Sequence, residues 1–308
     1  MTRPVRILVT GATGFVGRHV VPRLLTAGYE VHAVSSRATQ TVPCLFPITA
    51  DLLKPGEVER VVDAVRPELL LHLAWYAKHG SFWAAPENFA WADATARLLR
   101  AFHEMGGQRA VFAGTCAEYD WDHGYCVEGL TPTRPRTLYG KCKDATRQYV
   151  QDYCESRGLS YAWGRIFFPY GPGEPPGRLL PSVLRALMRN EPVRCSHGRQ
   201  LRDFLHVTDV AAALVHLATA TASNGAFNIA SGLPVRLAEL VDLCASYFPG
   251  HPPIQFGVVP VPEDDPPMLV GSPDRLLAIG WRAQVALEQG IEAYLKAMNQ
   301  EGISHESR

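Results

Sequence analysis

The stretch VRILVTGATGFVG, residues 5–17, decides the fold of this chain. A short β-branched run is followed at once by Gly11, Gly14 and Gly17, and then by the apolar spacing of a helix. Glycine lets the backbone turn tightly and approach a phosphate, whose charge is met by free N–H groups and the positive end of the helix. The stretch therefore predicts a strand, a phosphate-binding turn and a helix, in that order.

The rest of the first half continues the alternation of short apolar runs with amphipathic stretches. This pattern is typical of parallel strands joined by crossover helices, and strands that are so continuously apolar are buried on both faces. We predict strands at residues 5–9, 29–34, 68–74, 109–115 and 159–167, and helices near 15–27, 56–65, 88–104 and 138–157.

The composition changes after residue 168, where Pro and Gly cluster in PYGPGEPPGR, residues 169–178. This change predicts a smaller lobe that is interleaved with the sheet. We place a helix near 179–190, a strand at 202–207, a helix near 208–219, and two further helices near 236–247 and 285–298.

Charge and composition limit the classes of partner. The chain has 308 residues, 47% of them apolar, with 30 Lys+Arg against 30 Asp+Glu. This balance creates no overall field for nucleic acid or an anionic membrane, and no apolar run has the length of a membrane span. The seven cysteines contain no CxxC pair, so they predict neither a zinc site nor a disulfide framework. We therefore expect a cytoplasmic protein that binds a small molecule, with no metal, nucleic-acid or membrane partner.

A glycine turn between a strand and a helix is typical of dinucleotide-binding proteins. The end of the second strand indicates which dinucleotide this chain would bind. An acidic residue there would bind the adenosine ribose diol, but the sequence has Ser35-Ser36-Arg37. Hydroxyls and a guanidinium suit a 2′-phosphate, so Ser36 and Arg37 favour NADP(H) over NAD(H). Alternatively, Arg37 is a solvated loop cation. Asp51 and Leu52 are placed to approach the adenine edge, although Asp51 could equally be a helix cap.

Tyr139 and Lys143 are four residues apart on the predicted helix 138–157, so their side chains share one face. A nearby ammonium is expected to lower the pKa of the phenol toward working pH, which would make Tyr139 a general acid for a carbonyl that is being reduced. Thr115, at the end of the strand at 109–115, would supply a hydroxyl to the same oxygen. These three residues form the predicted catalytic group.

Five motifs together resemble the extended short-chain dehydrogenases/reductases, in their nucleotide-sugar epimerase, dehydratase and reductase branch. The motifs are Gly11-x-x-Gly14-x-x-Gly17, Thr115 to Tyr119, Tyr139-x-x-x-Lys143, Arg165-Ile-Phe-Phe-Pro-Tyr-Gly-Pro, and Arg202-Asp-Phe-Leu-His-Val-x-Asp209. The resemblance runs over essentially the whole chain. It implies an α/β fold, with a Rossmann-type doubly wound parallel sheet and a smaller C-terminal substrate-binding lobe.

The resemblance also implies boundaries and contacts. The NADP-binding domain would comprise residues 1–167 and 203–230, and the nucleotide-sugar lobe 168–202 and 231–308. The implied substrate contacts are Thr115, Cys116, Arg178, Leu180 and Arg202, with Arg202 on the nucleotide diphosphate. The predicted cofactor contacts are Gly11, Thr13, Gly14, Phe15, Val16, Gly17, Ser36, Arg37, Asp51, Leu52, Leu73, Ala74, Trp75, Tyr139, Lys143, Phe167, Phe168 and Pro169. Relatives commonly pair the helices at 88–104 and 138–157 across a dimer axis, which implies a homodimer.

Residues 115–119 bear on the reaction type. Relatives that eliminate water carry Thr-Asp-Glu where this chain has Thr115-Cys116-Ala117, so dehydration would lack its proton-transfer carboxyls. The motif resembles that of 4-ketoreductases from deoxysugar pathways, which implies NADPH-dependent reduction of a nucleotide-linked 4-keto-6-deoxyhexose. A NAD-dependent 4-epimerase is the alternative, and a non-catalytic NADP-binding redox sensor is a third possibility. Phe168 and Trp91 replace asparagines that are common in relatives.

One local cluster has two interpretations. His72, Trp75, Tyr76, His79, Phe82 and Trp83 follow the strand at 68–74. Ligands bind at the carboxyl ends of strands in open α/β sheets, so these residues either wall a sugar pocket or pack a loop against the sheet.

Overall fold

The computed structural model describes residues 3–36, 42–220 and 223–306. The strands are β1 Arg6–Thr10, β2 Glu30–Ser35, β3 Leu45–Thr49, β4 Leu69–His72, β5 Arg109–Thr115, β6 Tyr125–Cys126, β7 Ser160–Ile166, β8 Phe168–Tyr170, β9 Val193–Arg194, β10 Leu201–Arg202, β11 Phe204–His206, β12 Gly225–Ile229, β13 Val235–Arg236, β14 Ile254–Gln255 and β15 Met268–Gly271. The α-helices are α1 Gly17–Thr26, α2 Glu57–Val65, α3 Glu87–Glu104, α4 Leu138–Arg157, α5 Leu179–Met188, α6 Val207–Thr219, α7 Leu237–Ser246, α8 Asp274–Ala278 and α9 Leu287–Glu306.

The main sheet has seven parallel strands in the order β12-β7-β5-β4-β1-β2-β3. The strand order reverses at β1, because the chain first builds outward to β3 and then returns to add β4 on the other side. In open α/β sheets, ligands bind at such a reversal, beyond the carboxyl ends of the strands. The turn after β1 therefore lies where the fold offers a ligand site.

Helices cover both faces of the sheet because its central strands are apolar throughout. Ile7 and Val9 of β1 face the layer that contains α1 and α6, whereas Leu8 faces the layer that contains α2, α3 and α4. All three side chains are fully buried. The predicted α/β fold with a doubly wound parallel sheet is confirmed, and the nine helical and strand segments predicted in the first half are present within a few residues.

The second lobe has a core of its own. Helices α5, α7 and α9 pack around buried Leu184, Leu240 and Ile291, and Tyr170 closes this core next to the main sheet. A small sheet in the order β13-β10-β15-β6 connects the lobe to the sheet. Strand β6 falls inside the range predicted for the cofactor domain, yet it pairs with β15 of the second lobe. The predicted domain boundaries otherwise stay a prediction.

The single strand predicted at 202–207 is wrong, because two short strands, β10 and β11, occupy this region. Strand β10 ends at Arg202 and β11 begins at Phe204. Asp203, which separates them, is completely buried. Its carboxylate accepts hydrogen bonds from the backbone N–H groups of Ser231, Gly232 and Gly271 and from the Ser231 hydroxyl, at 2.7–3.2 Å. A buried carboxylate requires such partners, and Asp203 finds them at the point where β10 ends and β11 begins.

Six of the seven cysteines are buried and Cys44 is exposed, and all seven are free thiols. Within the described ranges, no helix is both long enough and apolar enough to cross a bilayer. Those same residues include no group of three or more His, Cys, Asp or Glu side chains arranged to hold a metal ion.

Candidate active site

A cavity of ≈580 Å³ lies at the carboxyl ends of β1, β4 and β5, between the main sheet and the second lobe. Most of the predicted site residues line it, although they come from seven separate parts of the chain. From the predicted set, the lining residues are Gly11, Gly14, Phe15, Val16, Gly17, Leu73, Ala74, Trp75, Thr115, Cys116, Tyr139, Lys143, Phe167, Phe168, Pro169, Arg178, Leu180 and Arg202.

The glycine turn is built so that no side chain fits within it. Gly11 has φ +70°, and a Cβ there would lie 2.8 Å from the backbone nitrogen of Ala74. A Cβ on Gly17 would lie 2.1 Å from the Gly11 carbonyl oxygen. Helix α1 begins at Gly17 without a side-chain cap, and the N–H groups of Arg18 and His19 bond to the carbonyl oxygens of Gly14 and Val16. The positive end of the helix dipole lies at this turn. This cradle suits the pyrophosphate of a dinucleotide.

Tyr139 and Thr115 meet at the floor of the cavity. Thr137 caps the start of α4 by accepting a hydrogen bond from the Gly140 N–H, and this cap sets Tyr139 on the first turn of the helix. Thr115 lies beside the phenol of Tyr139 and partly offsets the rise that burial causes in the pKa of that phenol. The structure therefore brings the predicted hydroxyl and phenol together at one point.

Lys143 has its closest described contacts with Ala113 and Trp75. Its ammonium donates to the Ala113 carbonyl oxygen at 2.8 Å and lies 3.7 Å from the centre of the Trp75 ring. Burial lowers the pKa of Lys143 to about 7. Burial raises the pKa of Tyr139 well above its ordinary value, and Lys143 is not among the groups that counteract this rise. The prediction that Lys143 lowers the pKa of Tyr139 stays a prediction.

Glu118 was not among the residues predicted from the sequence. Its carboxylate holds the backbone of Thr115 in place. Glu118 ends a short 3₁₀ turn, Cys116–Glu118, and its carboxylate accepts from the Thr115 N–H at 2.8 Å. The same carboxylate accepts from the Trp163 indole at 2.9 Å and pairs with Arg165 at 2.7 Å. The sequence signal was Thr115-x-x-Glu118, the spacing of a capping box. Glu118 is completely buried and points away from the cavity's lining.

Two arginines face the cavity from the second lobe. Arg202 is buried, pairs with Asp265 at 2.7 Å and lies 5.6 Å from the centre of the Phe168 ring. Arg178 pairs with Glu174 at 3.4 Å and donates to the Pro169 carbonyl oxygen. Burial raises the pKa of Glu174 to about 7. The arginines thus offer two guanidinium groups to an anionic ligand, with each one balanced by a carboxylate.

The sequence allowed two roles for the aromatic and histidine cluster, lining a pocket or packing against the sheet, and its residues do not all have the same role. Trp75, His79, Phe82 and Trp83 line the cavity. His72 instead lies behind the wall, hydrogen-bonded to Thr10 at 2.6 Å and to Thr95 at 2.9 Å, and burial lowers its pKa to about 3.

Aromatic rings enclose the phenol of Tyr139. The rings of Phe82 and Trp83 meet the Tyr139 ring edge to face, with centroids 5.0 and 5.8 Å away. The Trp83 carbonyl accepts the Tyr139 N–H at 3.0 Å, and Trp121 packs against Trp83. This surrounding is apolar, which is the physical reason that ionisation of the phenol is disfavoured.

Five predicted cofactor residues are not part of this cavity's lining. Thr13 exchanges a hydrogen bond with Ser35 at 3.1 Å, and Ser36 is exposed at the end of β2. Asp51 accepts from the Leu53 N–H in the turn before α2, while Leu52 is buried in the core. Arg37 lies outside the described residues. The cofactor contacts of these five residues stay predictions.

Comparisons with known proteins agree with this geometry. Residues 7–230 match the family model described as the NAD dependent epimerase/dehydratase family. A dTDP-6-deoxy-L-talose 4-dehydrogenase (NAD(+)) from Aggregatibacter actinomycetemcomitans is 30% identical over 77% of this chain and 88% of its own length. A probable UDP-glucuronate 4-epimerase from Rhizobium meliloti (strain 1021) is 25% identical over 96% of this chain and 97% of its own length.

A solved structure extends the likeness to three dimensions. MoeE5 in complex with UDP-glucuronic acid and NAD superposes with a TM-score of 0.83 and 30% sequence identity, covering 96% of this chain and 99% of that chain. The similarity therefore includes both the main sheet and the second lobe.

Proposed function

The chain belongs to the NAD-dependent epimerase/dehydratase family, and within that family we propose that it is an NADPH-dependent 4-ketoreductase. This membership confirms the resemblance to extended short-chain dehydrogenases/reductases. The activity is of the nucleotide-sugar epimerase/dehydratase type, as in the relatives described above. The proposed substrate is a nucleotide-diphosphate 4-keto-6-deoxyhexose, and the proposed product is the C4 alcohol.

The observation that carries this proposal is the state of Tyr139. Its phenol is enclosed by aromatic rings, lies beside Thr115 and is protonated, because burial raises its pKa. A protonated phenol is ready to donate to an oxygen that gains negative charge. Reduction of a ketone needs such an acid. The same phenol would serve as the base if a C4 hydroxyl were oxidised, so the choice of reduction over epimerisation rests on residues 115–119, Ser36 and Arg37.

The main residues of the site each have a place in the proposed reaction, and the Lys143 ammonium would stabilise the phenolate that Tyr139 becomes once it has donated its proton. A bound NADPH would supply the hydride that adds to C4, and the glycine turn at Gly11 to Gly17 would hold its pyrophosphate. Tyr139 donates its phenolic proton to the ketone oxygen as the C4 alcohol forms. Thr115 shares a hydrogen bond with that oxygen, and the Arg202 and Arg178 guanidinium groups bind the diphosphate of the substrate.

The absence of carboxylates at residues 116 and 117 disfavours dehydration. Cys116 and Ala117 occupy the positions of the acid and base of dehydrating relatives, and burial raises the pKa of the Cys116 thiol. Among the described lining residues, the carboxylates are Glu174 and Asp265, and each is paired with an arginine.

The preference for NADP(H) rests on Ser36 and Arg37. Since Arg37 lies outside the described residues, this part of the proposal is argued from the sequence alone. Replacing Arg37→Ala should weaken NADPH binding much more than NADH binding, because only NADPH carries the 2′-phosphate. The homodimer and the cytoplasmic location are likewise proposals.

A 4-epimerase that keeps NAD bound is the second candidate. Its support is the probable UDP-glucuronate 4-epimerase among the relatives and the NAD named with MoeE5. An epimerase would interconvert nucleotide sugars without net consumption of a cofactor. A redox sensor, the third candidate, would bind NADP(H) and turn over nothing.

One experiment separates the three candidates. The purified protein is given NADPH or NADH together with a panel of 4-keto-6-deoxy nucleotide sugars, and the loss of absorbance at the reduced nicotinamide band is followed. In parallel, UDP-hexoses are incubated with the protein and no added cofactor, and the products are separated by chromatography. Consumption of NADPH supports the reductase, epimerised UDP-hexoses support the epimerase, and cofactor binding without either supports the sensor.

A further inference from the structure

The indole of Trp75 lies directly over the ammonium of Lys143. The Nζ atom is 3.7 Å from the ring centre, well within the distance at which a cation is attracted to an aromatic face. The Lys143 side chain is 4% exposed, so water contributes little to this attraction. Nζ also donates to the Ala113 carbonyl oxygen at 2.8 Å, and the ring centre of Trp163 lies farther away, at 5.9 Å.

Trp75 is itself fixed from two other sides. Its Nε1 donates to the side-chain oxygen of Asn88 at 2.7 Å, and Asn88 is completely buried. Asn88 is held in turn by the carbonyl oxygens of Phe82 and Ala85. On its other side, the Trp75 ring stacks with Trp91 at a centroid distance of 6.5 Å. The indole face that meets Lys143 is therefore held in one orientation.

The charged groups around Lys143 contribute little to the stability of its ammonium form. Much of that stability therefore comes from the contact with Trp75. On β4, His72 is neutral because burial lowers its pKa to about 3. In the 3₁₀ turn after β5, Glu118 is the anion that favours the charged lysine, but Arg165 of β7 already pairs with it. On α4 itself, Tyr139 is protonated.

The remaining neighbours add little charge. Asp144, next to Lys143 on α4, is bound to Arg147 and Gln148. The groups of α3 that contact Trp75 or His72 are the Asn88 amide, the Trp91 ring and the Thr95 hydroxyl, and they carry no charge. Burial without a free anion would drive Lys143 toward its neutral form.

We propose that Trp75 is a positioning residue, which holds the Lys143 side chain against Ala113 and favours its ammonium form through the indole face. This inference rests on the proposed function, because Lys143 matters to turnover only if the chain reduces a nucleotide sugar. The role is new for this position, which the sequence assigned only to contact with the cofactor. Trp75 would raise the fraction of Lys143 that carries a charge at a given pH.

The direct test is the titration of Lys143 by NMR in the full-length protein without substrate. The chain has only five lysines, at positions 54, 78, 141, 143 and 296, so protein labelled with ¹³C at lysine Cε gives few signals. The variant Lys143→Arg identifies the signal of Lys143. In Trp75→Leu the titration midpoint of Lys143 should fall by about one pH unit, since loss of a desolvated cation–π contact of this size shifts a pKa by about that much.

Two further variants make the titration decisive. Trp75→Phe keeps a weaker aromatic face but loses the bond to Asn88, so it should lower the titration midpoint of Lys143 by less than Trp75→Leu does. If Trp75→Leu does not fold, Trp75→Phe provides the test. Trp83→Leu removes another tryptophan from the same cavity, one that lies over Tyr139, and should leave the Lys143 midpoint unchanged. An unchanged midpoint in folded Trp75 variants, or an equal fall in Trp83→Leu, would overturn the proposal.

A kinetic measurement then links Trp75 to turnover. The alkaline limb of kcat/KM against pH should move to lower pH in Trp75→Leu by the same amount as the NMR midpoint. A purely structural role would lower the rate at every pH and leave the limb in place, which would contradict the proposal. If the wild-type protein reduces no 4-keto sugar, the proposed function fails, while the NMR titration still decides the role of Trp75.

Discussion

Glu118 and Arg165 form a buried ion pair with an Nε–Oε2 distance of 2.7 Å, and the Glu118 carboxylate also accepts from the Thr115 N–H. Arg165 also donates to the Tyr119 hydroxyl at 2.9 Å, and that hydroxyl donates to Asn228 on β12. The pair therefore joins the turn that carries Thr115 to two strands of the main sheet. Removing one partner of such a pair leaves a buried charge without compensation.

We expect Glu118→Gln to lower the free energy of unfolding by about 3 kcal/mol, because Arg165 would lose its carboxylate partner. Urea denaturation followed by tryptophan fluorescence measures this change. The matched control is Glu292→Gln, which removes the exposed pair with Lys296 and should leave the unfolding midpoint unchanged. Equal effects of the two substitutions would show that the Glu118 pair does not support the turn.

Tyr139→Phe should reduce turnover roughly 100- to 10,000-fold, the range typical for loss of a general acid. Cofactor affinity should be nearly unchanged, because Phe keeps the ring that packs against Phe82 and Trp83. Turnover is measured by NADPH absorbance, and affinity by quenching of tryptophan fluorescence. A wild-type rate in this variant would remove Tyr139 from the mechanism.

Lys143 should make the protein more stable as pH rises through the slightly alkaline range. Its pKa is about 7 in the folded protein but close to its ordinary 10.5 in the unfolded chain. Between these two pH values Lys143 is protonated in the unfolded chain and neutral in the folded protein. The free energy of unfolding therefore rises with pH, by at most about 1.4 kcal/mol per pH unit.

The pH experiment compares wild-type protein with Lys143→Met in urea between pH 7 and 9. The difference between the two isolates the contribution of Lys143 from that of the buried thiols, whose raised pKa values act in the opposite direction above about pH 9. Parallel pH profiles for the two proteins would contradict the burial of a titrating ammonium.

Gly17→Ala and Gly14→Ala should separate the structural and binding roles of the turn. The added Cβ at Gly17 would lie 2.1 Å from the Gly11 oxygen, so we expect a loss of at least about 2 kcal/mol in stability. At Gly14 the nearest atom is 3.2 Å away, so stability should change little while the methyl group enters the cavity and weakens cofactor binding. Urea denaturation and a fluorescence titration with NADPH measure the two effects.

Much of the site could be predicted because its residues follow local rules. The glycine turn needs a strand before it and a helix after it, and both are visible in the apolar spacing of residues 5–27. Tyr139 and Lys143 share a helix face because they are four residues apart, wherever that helix packs. The strand ends at Leu73 and Thr115 fix which residues reach the edge of the sheet.

Other features depend on partners that are distant in sequence. Strand β6 joins the second lobe because Val270 pairs with Tyr125, and no pattern near residue 125 contains that pairing. The break between β10 and β11 lies at Asp203, whose carboxylate accepts from the backbone N–H groups of Ser231 and Gly271. The prediction of one continuous strand there failed because a six-residue apolar pattern does not show which N–H groups a buried aspartate will meet.

The sequence by itself therefore determined the order of strands and helices, the phosphate-binding turn, and the presence of Tyr139 and Lys143 on one helix. Only the tertiary structure decided that Lys143 faces Trp75 and Ala113, that Glu118 pairs with Arg165, and that the phenol of Tyr139 lies among aromatic rings. The physical reason is that periodicity sets the face of an element, whereas the charge state of a group depends on the burial and partners it acquires when distant elements pack together.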